Sequence, residues 1–172
     1  SNTIDSFSDF YKPKERVKVI LVEELLNNLV LLFDVQFKVH EIYLKVKVDK
    51  SIEIHSLENQ IQQVLINLLS NSKDAILDKN IPKGIIYIKA YEKDENISIE
   101  VEDNAGGVEN DKVLNRIFEP YFTTKTQGTG IGLYMSKMLV DKNLKGKITA
   151  ENKNQGLLVK LILPKKLLKK KK

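Results

Sequence analysis

Leu57, Ile61, Val64, Leu65, Leu68, Ser72, Ala75 and Ile76 recur at three- and four-residue steps, the spacing that places side chains on one face of a helix. A helix over 57–79 has to bury that face, so the rest of the chain has to supply its cover. The middle of the run, VLINLLSN, is apolar nearly all the way round except at Asn67 and Asn71. These two lie four residues apart and share a face. Asp74 and Asp78 continue the stripe, and Gln60 and Gln63 precede it. Two readings stand: a solvated helix face, or a set of oxygen ligands. Asn is a mediocre helix former, and a routine exposed face favours Lys, Glu or Arg. A buried Asn without a partner costs about 1–3 kcal/mol. Amide oxygens suit a hard cation such as Mg²⁺, which keeps waters and phosphate oxygens in its shell.

The flanking segments predict what covers this helix. VEELLNNLVLLFDVQF, from Val22 to about Phe37, reads as an amphipathic helix. EIYLKVKV (41–48) alternates apolar and polar residues, the pattern of a half-buried strand, and a short IEIHS strand follows. GIIYIKAYEK (84–93) and NISIEVED (96–103) are two strands around an Asp94-Glu95-Asn96 turn. An irregular, glycine-rich stretch runs from Asn104 to Gly130, then a helix from about Gly130 to Lys142. KGKITAEN and GLLVKLILP close the chain as two more strands. Helices and strands grouped this way predict an α+β fold: a two-layer α/β sandwich with a mixed, mostly antiparallel sheet and helices on one face.

Cysteine is absent, which excludes disulfide scaffolds, thiolate metal sites and cysteine-based catalysis. The net charge of +5 suggests an anionic partner, but six of the 28 basic residues fall in the last eight positions, KKLLKKKK. Against 23 acidic residues, the remainder is close to neutral. A terminal run of like charge reads as a solvated tail, whereas a nucleic-acid surface places its basic residues on a folded face. We therefore expect no nucleic-acid partner. The longest apolar runs, VLINLL and LVLLF, are far short of the ~20 residues a membrane helix needs.

Three further segments carry chemistry. Val101-Glu102-Asp103-Asn104-Ala105-Gly106-Gly107 takes a strand that ends on a carboxylate straight into a small-residue turn. It reads as plain turn chemistry, or as a place where a flat ligand comes close to glycine backbone while Asp103 accepts from an amino group such as the adenine 6-amine. Gly128-Thr129-Gly130-Ile131-Gly132-Leu133 opens a helix. Three glycines there cost helix propensity, and uncrowded amides at a helix start bind phosphate. The spacing is neither a Walker P-loop nor a Rossmann fingerprint. Between them, RIFEPYFTTK (116–125) supplies aromatics that either close over a bound molecule or anchor a long loop, and Lys125 as a candidate phosphate contact.

Taken in order, these segments resemble the ATP-binding catalytic domain of bacterial sensor histidine kinases, in the GHKL superfamily with its Bergerat fold. QVLINLLSNSKDAI resembles the N box, VEDNAGGV the first glycine box, RIFEPYFTTK the F box and GTGIGLYMSKMLV the second glycine box. The similarity covers about residues 16–164. The resemblance implies ATP and Mg²⁺ as cofactors, with Asn71 and Asn67 on the metal and Asp103 on the adenine amine. It implies that Gly107 lets the base pack close and that Gly128, Gly130 and Gly132 present amides to the phosphates. Phe118, Thr124, Thr129, Ile131 and Leu133 complete the expected nucleotide site, and residues from about Asn110 to Gln127 form a lid. Many relatives carry Lys or His three residues after the second N-box asparagine. Here that position is Asp74, so the phosphate contact passes to Lys73 or Lys125. Ala105 replaces the first glycine of DxGxG.

Superfamily members that hydrolyse ATP resemble one another in a Glu at the position of Asn67, where it acts as base for water. An amide cannot take up a proton near neutral pH, which argues for transfer over hydrolysis. The phosphoacceptor histidine is expected in an upstream dimerisation helix. His40 precedes a strand and His55 ends one, so neither fits. Residues 1–14 are then expected to be the end of that helix and its linker, 15–164 the catalytic domain and 165–172 a basic tail. The implied partners are the chain's own dimerisation domain and a response regulator, in a cytoplasmic setting. The fragment alone is expected to be monomeric and unable to autophosphorylate. Alternatives are a serine-protein kinase of the anti-sigma type and a non-catalytic nucleotide-sensing module.

Overall fold

The computed structural model describes residues 15–123 and 130–168. Five strands form the main sheet, in the order β2-β4-β5-β7-β6: β2 (Ile42–Val48), β4 (Gly84–Lys93), β5 (Asn96–Asp103), β6 (Lys147–Lys153) and β7 (Gly156–Pro164). β2 runs parallel to β4, and every other pairing in this sheet is antiparallel. β1 (Lys18–Leu21) and β3 (Glu53–Ser56) form a separate antiparallel pair. The chain extends this pair at Lys165–Leu167, which hydrogen-bonds along β3 through His55. The start of the lysine-rich stretch is thus ordered, with Leu167 packed against the core.

Both tight hairpins turn on two residues with positive φ, Asp94-Glu95 and Asn154-Gln155, the twist that matches flanking strands. Register puts Ile86, Ile88 and Ala90 of β4 opposite Asp103, Val101 and Ile99 of β5. Leu161 and Leu163 of β7 lie beside Ile99 and Ile97. These alternating residues are buried and face the helices. The opposite face carries Tyr87, Lys89, Glu100 and Lys160, a solvated surface with cross-strand charge pairing.

Helix α1 (Val22–Val39) buries Val22, Leu25, Leu26, Leu29, Phe33 and Phe37. Helix α2 (Glu58–Asp78) buries Ile61, Val64, Leu65, Leu68, Leu69, Ser72 and Ile76 against α1 and the sheet. No side chain within α2 caps its first turn. Glu15, far away in sequence, does so: its carboxylate accepts from the Asn59 and Gln60 amides at 2.6 and 3.3 Å. An anion there also complements the helix dipole. The chain leaves α2 through Asn80, which has positive φ, and Pro82.

The structure differs from the sequence reading in three places. β1 was not expected. A short helix, α3 (Asp111–Leu114), stands inside the stretch read as irregular, its first turn capped by the Asn110 side chain on the Val113 amide. The helix expected over 130–142 forms as α4 (Gly132–Met138) and passes into a π-helical turn, Leu139–Asn143. The helix expected over residues 1–12 lies outside the described residues.

Candidate functional site

Asp103 ends β5 on the helix-facing side of the sheet and is 6% exposed. Its Oδ1 accepts from the Ala105 amide at 3.0 Å and the Leu157 amide at 3.3 Å. Both bonds fall on one oxygen, and no donor among the described residues bonds to Oδ2. A buried carboxylate held this way has an acceptor left for a ligand's donor.

The turn after Asp103 is held from three sides. The Gly106 amide donates to Gln155 O at 2.6 Å. Asn152 makes a two-point clamp on Val108, accepting from its amide at 2.8 Å and donating to its carbonyl at 3.0 Å. Lys79, just past α2, donates from Nζ to Gly107 O at 2.6 Å. Gly107 has φ +70°, and a Cβ there would overlap the Asn152 side chain, so the clamp and the glycine require each other. Gly156 is needed on the other side, because a Cβ there would overlap the Asp103 carbonyl.

Midway along α2, Asn67 is half-buried and its Nδ2 donates to Ser136 Oγ of α4 at 3.2 Å. Two turns earlier, Gln60 Oε1 accepts from Asn143 Nδ2 at 2.8 Å. α2 and the α4 segment are therefore antiparallel and bridged twice. From Asn67 to Lys79, α2 rises about 18 Å, joining the α4 contact to the glycine turn. Asn71 is half-buried on the same face of α2 as Asn67.

Phe118 is half-buried and packs on the core beside buried Ile117. Arg116 pairs with Glu119 at 3.0 Å and stacks over the Phe122 ring at 4.5 Å. Gly130 O accepts from the Tyr121 amide at 3.0 Å, so the F-box segment and the start of α4 are adjacent. Ile131 precedes α4, and Gly132 begins it with open space where a Cβ would be. Leu133 packs against the core. Lys73 is not gathered with these residues. It projects toward α1, where Nζ lies 3.3 Å from Gln36 Oε1. The expected positions Thr124, Lys125, Gly128 and Thr129 lie outside the described residues.

No three His, Cys, Asp or Glu among the described residues are grouped to hold a metal. A cation at this site would take the amide oxygens of Asn67 and Asn71, hard donors on one helix face that suit Mg²⁺. Because the Asn67 nitrogen is committed to Ser136, its oxygen is the end left for that role.

Sequence reasoning missed Ser136, Asn152, Lys79 and Gly156. Ser136 carried a usable signal, since Leu133, Ser136 and Val140 repeat at helical spacing and mark a small polar residue on the inward face. The other three looked like ordinary strand-end and helix-end residues.

Residues 56–167 match the family described as histidine kinase-, DNA gyrase B- and HSP90-like ATPase. Two-component sensor PprA of Pseudomonas aeruginosa is 40% identical over 111 residues, covering 62% of this chain and 12% of its own length. Sporulation kinase A of Bacillus subtilis is 33% identical over 159 residues, covering 90% of this chain and 25% of its own. The chain therefore spans a quarter or less of these relatives. The solved catalytic domain of histidine kinase ThkA superposes with a TM-score of 0.79 at 26% identity, over 88% of this chain and 97% of that one. The same kinase in complex with response regulator TrrA gives a TM-score of 0.75 at 22% identity, over 95% of this chain and 46% of that one. With its ordered motifs and this α+β sandwich, the chain belongs to the histidine kinase-, DNA gyrase B- and HSP90-like ATPase family.

Proposed function

We propose that the chain is the ATP-binding catalytic domain of a sensor histidine kinase. It delivers the γ-phosphoryl group of ATP to a histidine of a dimerisation domain, for relay to a response regulator. The observation that carries this reading is Asp103, a buried carboxylate with one oxygen fixed by two backbone amides and the other left for a donor. In this reading Oδ2 takes the adenine amine and Gly107 lets the ring lie against backbone. The triphosphate extends along α2 toward Asn71 and Asn67. Gly128, Thr129, Gly130, Ile131, Gly132 and Leu133 border the phosphates, Phe118 and Thr124 belong to the lid segment, and Lys125 supplies a cation. Lys73, directed at Gln36, is the weaker candidate for that contact. Asn67 and Asn71 would hold Mg²⁺, which would supply charge neutralisation on the phosphates. Phosphoryl transfer needs positioning and neutralisation more than covalent help from the protein.

An Asn at 67 leaves no base for water on α2 at that point, which favours transfer over hydrolysis. We further propose the division into 1–14 as the end of an upstream helix and linker, 15–164 as the catalytic domain and 165–172 as a basic tail whose first residues, Lys165–Leu167, run along β3. The setting is the cytoplasmic side of a sensor; among the described residues no helix is long and apolar enough to cross a membrane. The sensor relatives and the solved kinase–regulator complex support the partner classes.

The test is to mix the chain with a separately produced sensor-kinase dimerisation domain and labelled ATP. Acid-labile label on the added domain's histidine, and none on the chain alone, is the expected result. Saturable ATP binding with label appearing on serine would instead indicate the anti-sigma type of kinase.

A further inference from the structure

We propose that Ser136 is a positioning residue that sets the orientation of the Asn67 amide. The inference rests on the nucleotide reading above and adds a residue to it. Ser136 is completely buried on α4, and its Oγ takes Asn67 Nδ2 at 3.2 Å. A carboxamide is planar, with a donor end and an acceptor end. With the nitrogen on Ser136, Oδ1 is the other end of that plane and bonds to no described residue, which leaves it for a cation. A buried hydroxyl needs a partner, so a residue serving packing alone here would be Ala. The second bridge, Asn143 to Gln60, is seven residues from the first on both helices. Together they fix the rotation of α4 about α2. Asn143 ends the π-helical turn Leu139–Asn143, and such turns are rare and gather at functional sites. Ser136 touches neither nucleotide nor metal in this account; it acts through Asn67.

The experiment is calorimetric titration of the whole chain with ATP, once with Mg²⁺ and once with EDTA. It is run for the parent, Ser136→Ala, Asn67→Ala and the double variant. The parent should bind more tightly with Mg²⁺. Ser136→Ala should lose about three- to tenfold of that enhancement, the worth of one net hydrogen bond, while its affinity in EDTA stays within about twofold. In the Asn67→Ala background the serine change should have no further effect. Ser136→Cys, similar in size but a weak acceptor, should fall between and guards against a simple packing loss. If the parent enhancement survives in Ser136→Ala, or if the serine change has the same effect without Asn67, the positioning role is overturned. If the parent itself does not bind ATP under either condition, the nucleotide reading falls and takes this inference with it.

Discussion

Replacing Asp103 by Asn separates the two jobs of its carboxylate. Oδ1 already accepts from Ala105 and Leu157 at 3.0 and 3.3 Å, and an Asn oxygen can keep both. What is lost in folding is the difference between a charged and a neutral acceptor, so stability should fall by only about 1–2 kcal/mol. At Oδ2 the change is a reversal of sign. An acceptor becomes an NH₂ donor facing the donor of the adenine amine. Losing a hydrogen bond to a charged group costs about 1.5–3 kcal/mol, and leaving donors unpaired costs about 1–3 more. A total near 3 kcal/mol or above weakens ATP binding at least about a hundredfold. Asp103→Ala should act differently. It orphans the buried Ala105 and half-buried Leu157 amides, so folding itself should lose about 2–6 kcal/mol. Urea denaturation and calorimetric ATP titration on both variants decide the matter. Two results would refute the reasoning: Asp103→Asn binding ATP within threefold of the parent, or Asp103→Asn losing as much stability as Asp103→Ala.

Three other expectations follow from the same geometry. Asn152→Ala removes both bonds to Val108, so stability should fall by about 1–3 kcal/mol, with faster hydrogen exchange at the Val108 amide. Gly156→Ala places a Cβ against the Asp103 carbonyl; overpacking of rigid backbone costs about 1–3 kcal/mol or more, which a lowered melting temperature together with weakened ATP binding should report. Asp49 accepts from the Ser51 amide and hydroxyl, which hold its carboxyl below the ordinary 3.8. Its contribution to stability is therefore present above the unfolded value near pH 4 and lost as pH falls through the depressed one. An NMR titration of the Asp49 carboxyl should show the low midpoint, and Ser51→Ala should raise it.

Local pattern was legible where one face of an element is buried over several turns or pleats. α2 was readable to within a residue at each end because seven buried side chains repeat along it. The β4–β5 hairpin was readable because Ile86, Ile88 and Ala90 alternate with exposed residues up to a two-residue turn. β1 gave no such signal: of its four residues only Ile20 is buried, and its partner β3 lies some thirty residues on. The π-helical turn after Met138 was hidden for a similar reason. It ends on Asn143, whose partner Gln60 lies 83 positions away on α2, and nothing in LVDKN marks it.

The site divides along the same line. Sequence alone determined which residue types stand at the ends of the elements: an aspartate closing a strand, glycines after it, and two asparagines on one helix face. Those choices are local, made by the backbone freedom of glycine and by the period of a helix. Tertiary structure decided which atom of each is available. Asn67 meets Ser136 across 69 positions, Asp103 meets Leu157 across 54 and Val108 meets Asn152 across 44. The first two choose the free end of the Asn67 amide and the free oxygen of Asp103, and the bond to Gln36 sets the direction of Lys73. Hydrogen bonds between elements depend on how the layers pack, and no periodicity within one element encodes that.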